Sequence, residues 1–226
     1  MATNFPGSLD SFTNPSASDA MDSVTVPHAD QHANLNDAVE SLQAKVGVDG
    51  SAVTSSLDYK VANQGLTLVK TQTVGSGVSS VTVTNAFSAT FDHYRVIVQI
   101  NSASSSPYIG MTIGSSTSGY YGGRTATTYA GAFSGAGDSN ASKFSYLAAG
   151  YLGSPMQLSA DIRAPFLTTE TQIFSSYVDS NASSAASAGT YSGFLNNSTS
   201  HSYFTIAPST GTITGGTVRV YGYNNG

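Results

Sequence analysis

His28 and His32 stand four residues apart, the spacing that puts two imidazoles on one face of a helix, where a symmetry axis could gather copies of them around a metal ion or an anion. Two histidines without a further ligand of the right type make a weak metal signal, and a polar pair on the helix explains them as simply. His93 follows Asp92 at the start of a strand pattern, and His201 lies in the loop NNSTSHSY. With so many serines a Ser–His–Asp set can be composed by chance, and no Gly-x-Ser-x-Gly elbow gives one a context. Beyond residue 64 the carboxylates are Asp92, Asp138, Asp161, Glu170 and Asp179. A glycosidase needs two carboxyl groups about 5–10 Å apart; Asp161 and Asp179, at or near strand ends, are the pair that could face each other, although each also reads as an exposed strand or turn residue. No catalytic residue, cofactor site or metal ligand is assigned.

The glycines of 118–125 (SGYYGGRT) and 133–140 (FSGAGDSN) lack the Gly-Lys-Ser/Thr ending and following helix of a phosphate loop, so turn chemistry is their expected role. Asp138 and Asn140 are a fragment of a calcium loop without its other ligands, and no calcium is assigned. Tyrosines give the better hint of binding. Tyr120, Tyr121, Tyr129, Tyr146 and Tyr151 fall in or beside Gly- and Ser-rich stretches, the composition of adaptable contact surfaces. A receptor-contacting patch is expected on a Tyr120–Arg124 loop; the alternative is that these rings fill a core with their hydroxyls at its rim.

Composition narrows the function classes. Only 9% of the 226 residues are charged, against about 25% in an ordinary domain, and serine and threonine far outnumber the charged types. The formal net charge is −5. Thirteen Tyr, ten Phe and a hydrophobic share of 39% supply a core, which argues against disorder. Without cysteine there is no disulfide, thiolate zinc site or cysteine nucleophile. No run of about 18 apolar residues occurs, so no membrane-inserted helix is expected, and the N-terminus lacks the basic and apolar regions of a secretory signal. The cations are scattered from Lys45 to Arg219, which argues against nucleic-acid binding.

These residues need elements to position them. Residues 1–64 hold Asp10, Asp19, Asp22, Asp30, Asp37, Glu40, Asp49 and Asp58 against Lys45 and Lys60, whereas acids and bases nearly balance in 65–226. The asymmetry suggests two jobs. Residues 1–27, with Pro6, Pro15 and Pro27 and apolar residues at no regular period, read as an extended docking arm. The stretch from His28 to Val46 has no Pro or Gly and predicts a helix, with Leu35, Val39, Leu42 and Val46 spaced as a coiled-coil seam and Gly47 at the stop. Within the 28–64 module a turn at Asp49–Gly50 and a helical turn through Leu57, Tyr59 and Val61 follow. From Leu66 the period becomes two. Candidate strands are 66–74, 79–84, 93–100, 108–114, 124–133, 143–152, 156–164, 171–178, 190–196, 202–208 and 216–223, as a mainly β protein with an antiparallel, jelly-roll-like β-sandwich over 65–226 requires. No fixed repeat points to a propeller or solenoid.

The stretch HADQHANLNDAVESLQAKVGVDGSAVTSSLDYKV, after the leader FPGSLDSFTNPSASDAM, resembles the N-terminal module of tailed-bacteriophage tail-fibre, minor-tail and other virion proteins. The ending GGTVRVYGYNNG looks like the last strand of phage appendage domains. The resemblance implies a non-enzymatic virion component made in the host cytoplasm, anchored to other virion proteins through residues 1–64 and displaying residues 65–226 as a knob. It implies a homotrimer, whereas Val at a with Leu at d favours two strands. The Tyr120–Arg124 patch would then meet a host-surface glycan or protein. A capsid-decoration, head-fibre or adaptor role that stabilises the particle is the alternative, and a polysaccharide depolymerase a third.

Overall fold

Nothing between Pro27 and Gly47 interrupts helical hydrogen bonding, and helix α1 runs His28–Val46 with Asp30 in its first turn and Lys45 in its last, each complementing the helix dipole. The computed structural model describes residues 18, 20–22, 24 and 28–224, so most of the expected 1–27 arm lies outside the described residues. Gly47 stops α1 at φ +88, its N–H bonding to the Gln43 carbonyl at 2.8 Å. A Cβ there would lie 2.9 Å from the Ser56 side chain, so both the backbone and the space demand glycine. Ser56, fully buried, opens the short helix α2 (Leu57–Ala62), its Oγ accepting from the Tyr59 N–H at 3.2 Å. Asp58 accepts from the Ser51 N–H at 2.9 Å. Leu35, Val39, Leu42 and Val46 are all exposed along α1.

The chain divides into two units between Gln64 and Gly65. The second unit is built from twelve strands: β1 (Leu66–Thr73), β2 (Val81–Val83), β3 (His93–Ala103), β4 (Tyr108–Ile113), β5 (Tyr120–Thr128), β6 (Phe133–Ala141), β7 (Phe144–Ala149), β8 (Met156–Arg163), β9 (Thr171–Asp179), β10 (Ser187–Leu195), β11 (Phe204–Pro208) and β12 (Ile213–Tyr223). Eight form one antiparallel sheet in the order β1-β12-β3-β8-β9-β10-β5-β6, and four form another in the order β2-β11-β4-β7. The protein is mainly β, and the sheets share one core. Strand β6 was not among the expected strands. Its stretch reads as a turn because of Gly135 and Gly137, but it pairs along β5 as the exposed edge of the large sheet, where glycine sacrifices little packing.

Alternation explains the core. In β3, Tyr94, Val96, Val98 and Ile100 point inward, and in β8 Met156, Leu158, Ala160 and Ile162 do the same. Tyr94, Tyr120, Tyr191, Phe87, Phe144 and Phe204 are among the largest fully buried side chains, and each phenylalanine contributes about 1.5–3 kcal/mol through burial. Buried phenols need partners. Tyr94 donates to the Ser88 carbonyl at 2.9 Å, and the Tyr120 hydroxyl accepts from the Ile113 N–H at 2.8 Å. Tyr191 donates to Asp138 Oδ2 at 2.8 Å and so ties the core to edge strand β6.

Candidate binding surface

Antiparallel register lines up the outward side chains of the large sheet in rows across its strands. One row runs Arg95, Asp161, Phe174, Ser192 and Gly123; beside it run His93, Arg163, Gln172, Phe194 and Tyr121. On the other side Ile97, Ser159, Ser176, Thr190 and Thr125 form a row of mostly hydroxyls. Phe174 is 51% exposed and Phe194 36%, and the Phe194 ring stacks on Tyr121 with centroids 5.3 Å apart. At the β5 end of the first row Gly123 has open space where a side chain would stand. The result is an open depression of about 600 Å³ lined by Asp161, Arg163, Glu170, Gln172, Phe174, Ser192 and Phe194. A second of about 460 Å³, lined by His93, Asp161, Arg163 and Tyr223, adjoins it through their shared residues. Two aromatic rings over a small polar floor, ringed by carboxylate, guanidinium and amide groups, suit a hydroxylated ligand: rings take its apolar faces and the rim takes its hydroxyls.

Asp161 braces this surface. Arg95 grips it with Nε to Oδ1 at 2.8 Å and Nη2 to Oδ2 at 2.7 Å, and the Tyr223 hydroxyl donates to Oδ1 at 2.7 Å, joining β3, β8 and β12. The Arg95 hydrogen bonds, more than any other influence, hold its carboxyl below the ordinary range, while burial first and Asp161 second push the Tyr223 hydroxyl up. Asp161 is thus an ionised acceptor at neutral pH.

The two carboxylates that could have faced each other do not. Asp161 sits opposite Phe174 and Asp179 opposite Met156, five steps further along β8, which is about 17 Å. Asp161 points outward and Asp179, 2% exposed, points inward. The offset of five, an odd number, puts the two carboxylates on opposite faces in this register; a slip of one residue would have put them on the same face.

The Tyr120–Arg124 segment is not a loop but the first half of β5, bonded on one side to β10 and on the other to β6. Tyr120 is fully buried and Arg124 is 6% exposed, leaving Tyr121 and Gly123 on the outer face. Gly122 signals close packing rather than a turn, because a Cβ there would lie 2.2 Å from the Tyr191 hydroxyl. Of the other tyrosines, Tyr129 donates to the Asp179 main-chain oxygen, and Tyr146 packs edge-on against Tyr108 at 5.0 Å. Asp138 is engaged by Tyr191 and by the Ser145 N–H at 2.8 Å, and Asn140 accepts from the Gly119 N–H at 3.0 Å.

His28 and His32 do share a face of α1, their Nε2 atoms 3.0 Å apart. Among the described residues no group of three or more His, Cys, Asp and Glu is placed to hold a metal. His93 is exposed beside Arg163, while His201 is buried, its Nε2 3.3 Å from Asn197 Oδ1. Phe174 and Phe194 were not singled out from the sequence. Both alternating sets of β9 contain apolar residues, Ile173 with Tyr177 and Phe174 with Val178, so periodicity alone does not say which faces out. Fold and surface together define a two-sheet antiparallel β protein with an aromatic, polar-rimmed open face. Comparison of the chain with family models, curated proteins and solved structures finds no match.

Proposed function

We propose that the chain is a subunit of a tailed-bacteriophage virion appendage, of tail-fibre or minor-tail type, that attaches the particle to a host surface. Residues 1–64 bind it to other virion proteins, and the β-sandwich presents its large sheet outward. The reading rests on the resemblance carried by residues 28–61. The observation that supports it most is the seam of α1: Leu35, Val39, Leu42 and Val46 are exposed in the single chain, at a spacing that suits burial against other copies. A trimer is the proposed assembly. The role is adhesion without turnover, with Phe174, Phe194 and the polar rim as the contact surface in place of the Tyr120–Arg124 loop.

Light scattering on the full chain beside residues 65–226, and competition of each with phage for host cells, tests this. The expected result is a trimer for the full chain and blocked adsorption by the sandwich. Particles that lose stability but not adsorption when the protein is removed would replace this reading with a capsid-decoration role.

A further inference from the structure

Where the start of β4 and the end of β7 meet β5, β6, β9 and β10, a cavity of about 300 Å³ opens between the two sheets. Two charged side chains line it, and both are more than nine-tenths buried: Arg124, 6% exposed, and Asp179, 2% exposed. The Arg124 guanidinium spends Nε and Nη2 on the Tyr177 hydroxyl at 3.1 and 3.0 Å, and Nη2 also reaches Ser134 Oγ at 3.3 Å. Nη1 has only the Tyr108 hydroxyl at 3.5 Å, beyond an ordinary N–H···O bond. The guanidinium carbon lies 5.0 Å from the centre of the Tyr108 ring. No carboxylate among the described residues pairs with it. Asp179 complements the anomaly, because its Oδ1 is buried with no hydrogen-bond partner among the described residues.

Buried charges are ordinarily paired. Here a cation without a counter-ion and a carboxylate oxygen without a donor line one cavity yet do not meet each other. A ligand that brings both a carboxylate and hydroxyl donors satisfies them together. The remaining wall is rich in hydroxyls, from Ser106, Ser134 and Ser187, with Tyr108 and Tyr151 as aromatic surface. At the small end of ligand-site volumes, the cavity has room for a single ring.

We propose that this cavity binds one carboxylate-bearing sugar ring, a hexuronate, with its carboxylate on the Nη1 side of Arg124 and ring hydroxyls donating to Asp179 Oδ1. The choice of a sugar over another hydroxylated carboxylate rests on the host-attachment reading; the need for an anion with donors rests on the cavity alone.

The test is an NMR titration of the full chain with D-glucuronate, D-glucose and lactate. Glucuronate should give saturable shifts at Arg124 Nε, Tyr108, Tyr151 and Ser187, with glucose and lactate each weaker by about 10-fold or more. Arg124→Lys, which keeps the charge but loses the planar fork, should weaken glucuronate by about 10-fold. Should that variant misfold, the wild-type titration decides by itself. The proposal is overturned if glucuronate gives no shifts, if glucose binds equally well, or if the shifts fall on Phe174 and Phe194 instead. Lactate binding as tightly as glucuronate would overturn the sugar assignment. Host adsorption is read separately with Phe174→Ala, which leaves the cavity intact, so a failure of attachment and a failure of glucuronate binding are distinguishable.

Discussion

Arg95 and Arg124 carry the same charge in opposite settings, and the contrast shows what each does. Arg95 is partly exposed and clamps Asp161 in a bidentate pair, whereas Arg124 is buried among hydroxyls and rings. Asp179 has the matching deficit. Burial raises its carboxyl above the ordinary 3.8, so the unfolded chain releases this proton first as pH rises; the stability held below pH 3.8 is lost as pH climbs through the raised value. Asp179→Asn should therefore stabilise the protein at pH 7 by about 1 kcal/mol and change little at pH 3, as urea unfolding at the two pH values would show. His201 acts in the opposite sense. Burial holds its imidazole below the ordinary 6.5, so the unfolded chain takes up the proton first, and stability falls as pH drops below that value. His201→Gln should flatten the decline in melting temperature between pH 7 and pH 5. Gly114 makes room for this ring: at φ +56, an added Cβ would lie 2.3 Å from His201 Nδ1. Gly114→Ala is expected to cost about 1–3 kcal/mol, measurable by denaturant midpoint.

Among the elements, α1 and β5–β6 show where local pattern suffices and where it does not. The limits of α1 are readable because helix signals are local: an uninterrupted run, an acid at one end and a base and glycine at the other. On the proposed reading its exposed seam serves the assembly. Leu35→Asn with Leu42→Asn should leave the sandwich's melting temperature unchanged and reduce the scattering mass of the full chain to that of a monomer; an unchanged mass would move oligomerisation to the sandwich. Strand β6 escaped the same kind of reading because its glycines and polar residues hold strand geometry only through pairing with β5 and the tie from Asp138 to Tyr191. Tyr191→Phe should cost about 1 kcal/mol and raise hydrogen exchange in β6 above that in β5.

At the scale of the molecule, the sandwich spans a unit with its own core, and residues 65–226 alone should melt cooperatively at the temperature of the same unit in the full chain. On the proposed reading the outer sheet face serves binding and adds little to folding. Phe174→Ala with Phe194→Ala should lower host-cell binding by about 10-fold while moving the melting temperature only slightly, since both rings are substantially exposed.

Composition and period by themselves determined a mainly β protein with a helical N-terminal module, the limits of α1 and most strands, because alternation and helix signals act over a few residues. Only tertiary structure decided which of β9's two alternating sets faces outward, that Tyr120 and Arg124 lie in a strand, that Asp161 and Asp179 are far apart, and that Arg124 and Asp179 share a cavity. Each of these depends on strand order and register, which bring together residues such as 124 and 179. Pairing energies distributed across whole sheets set that order, and no stretch of the chain expresses them alone.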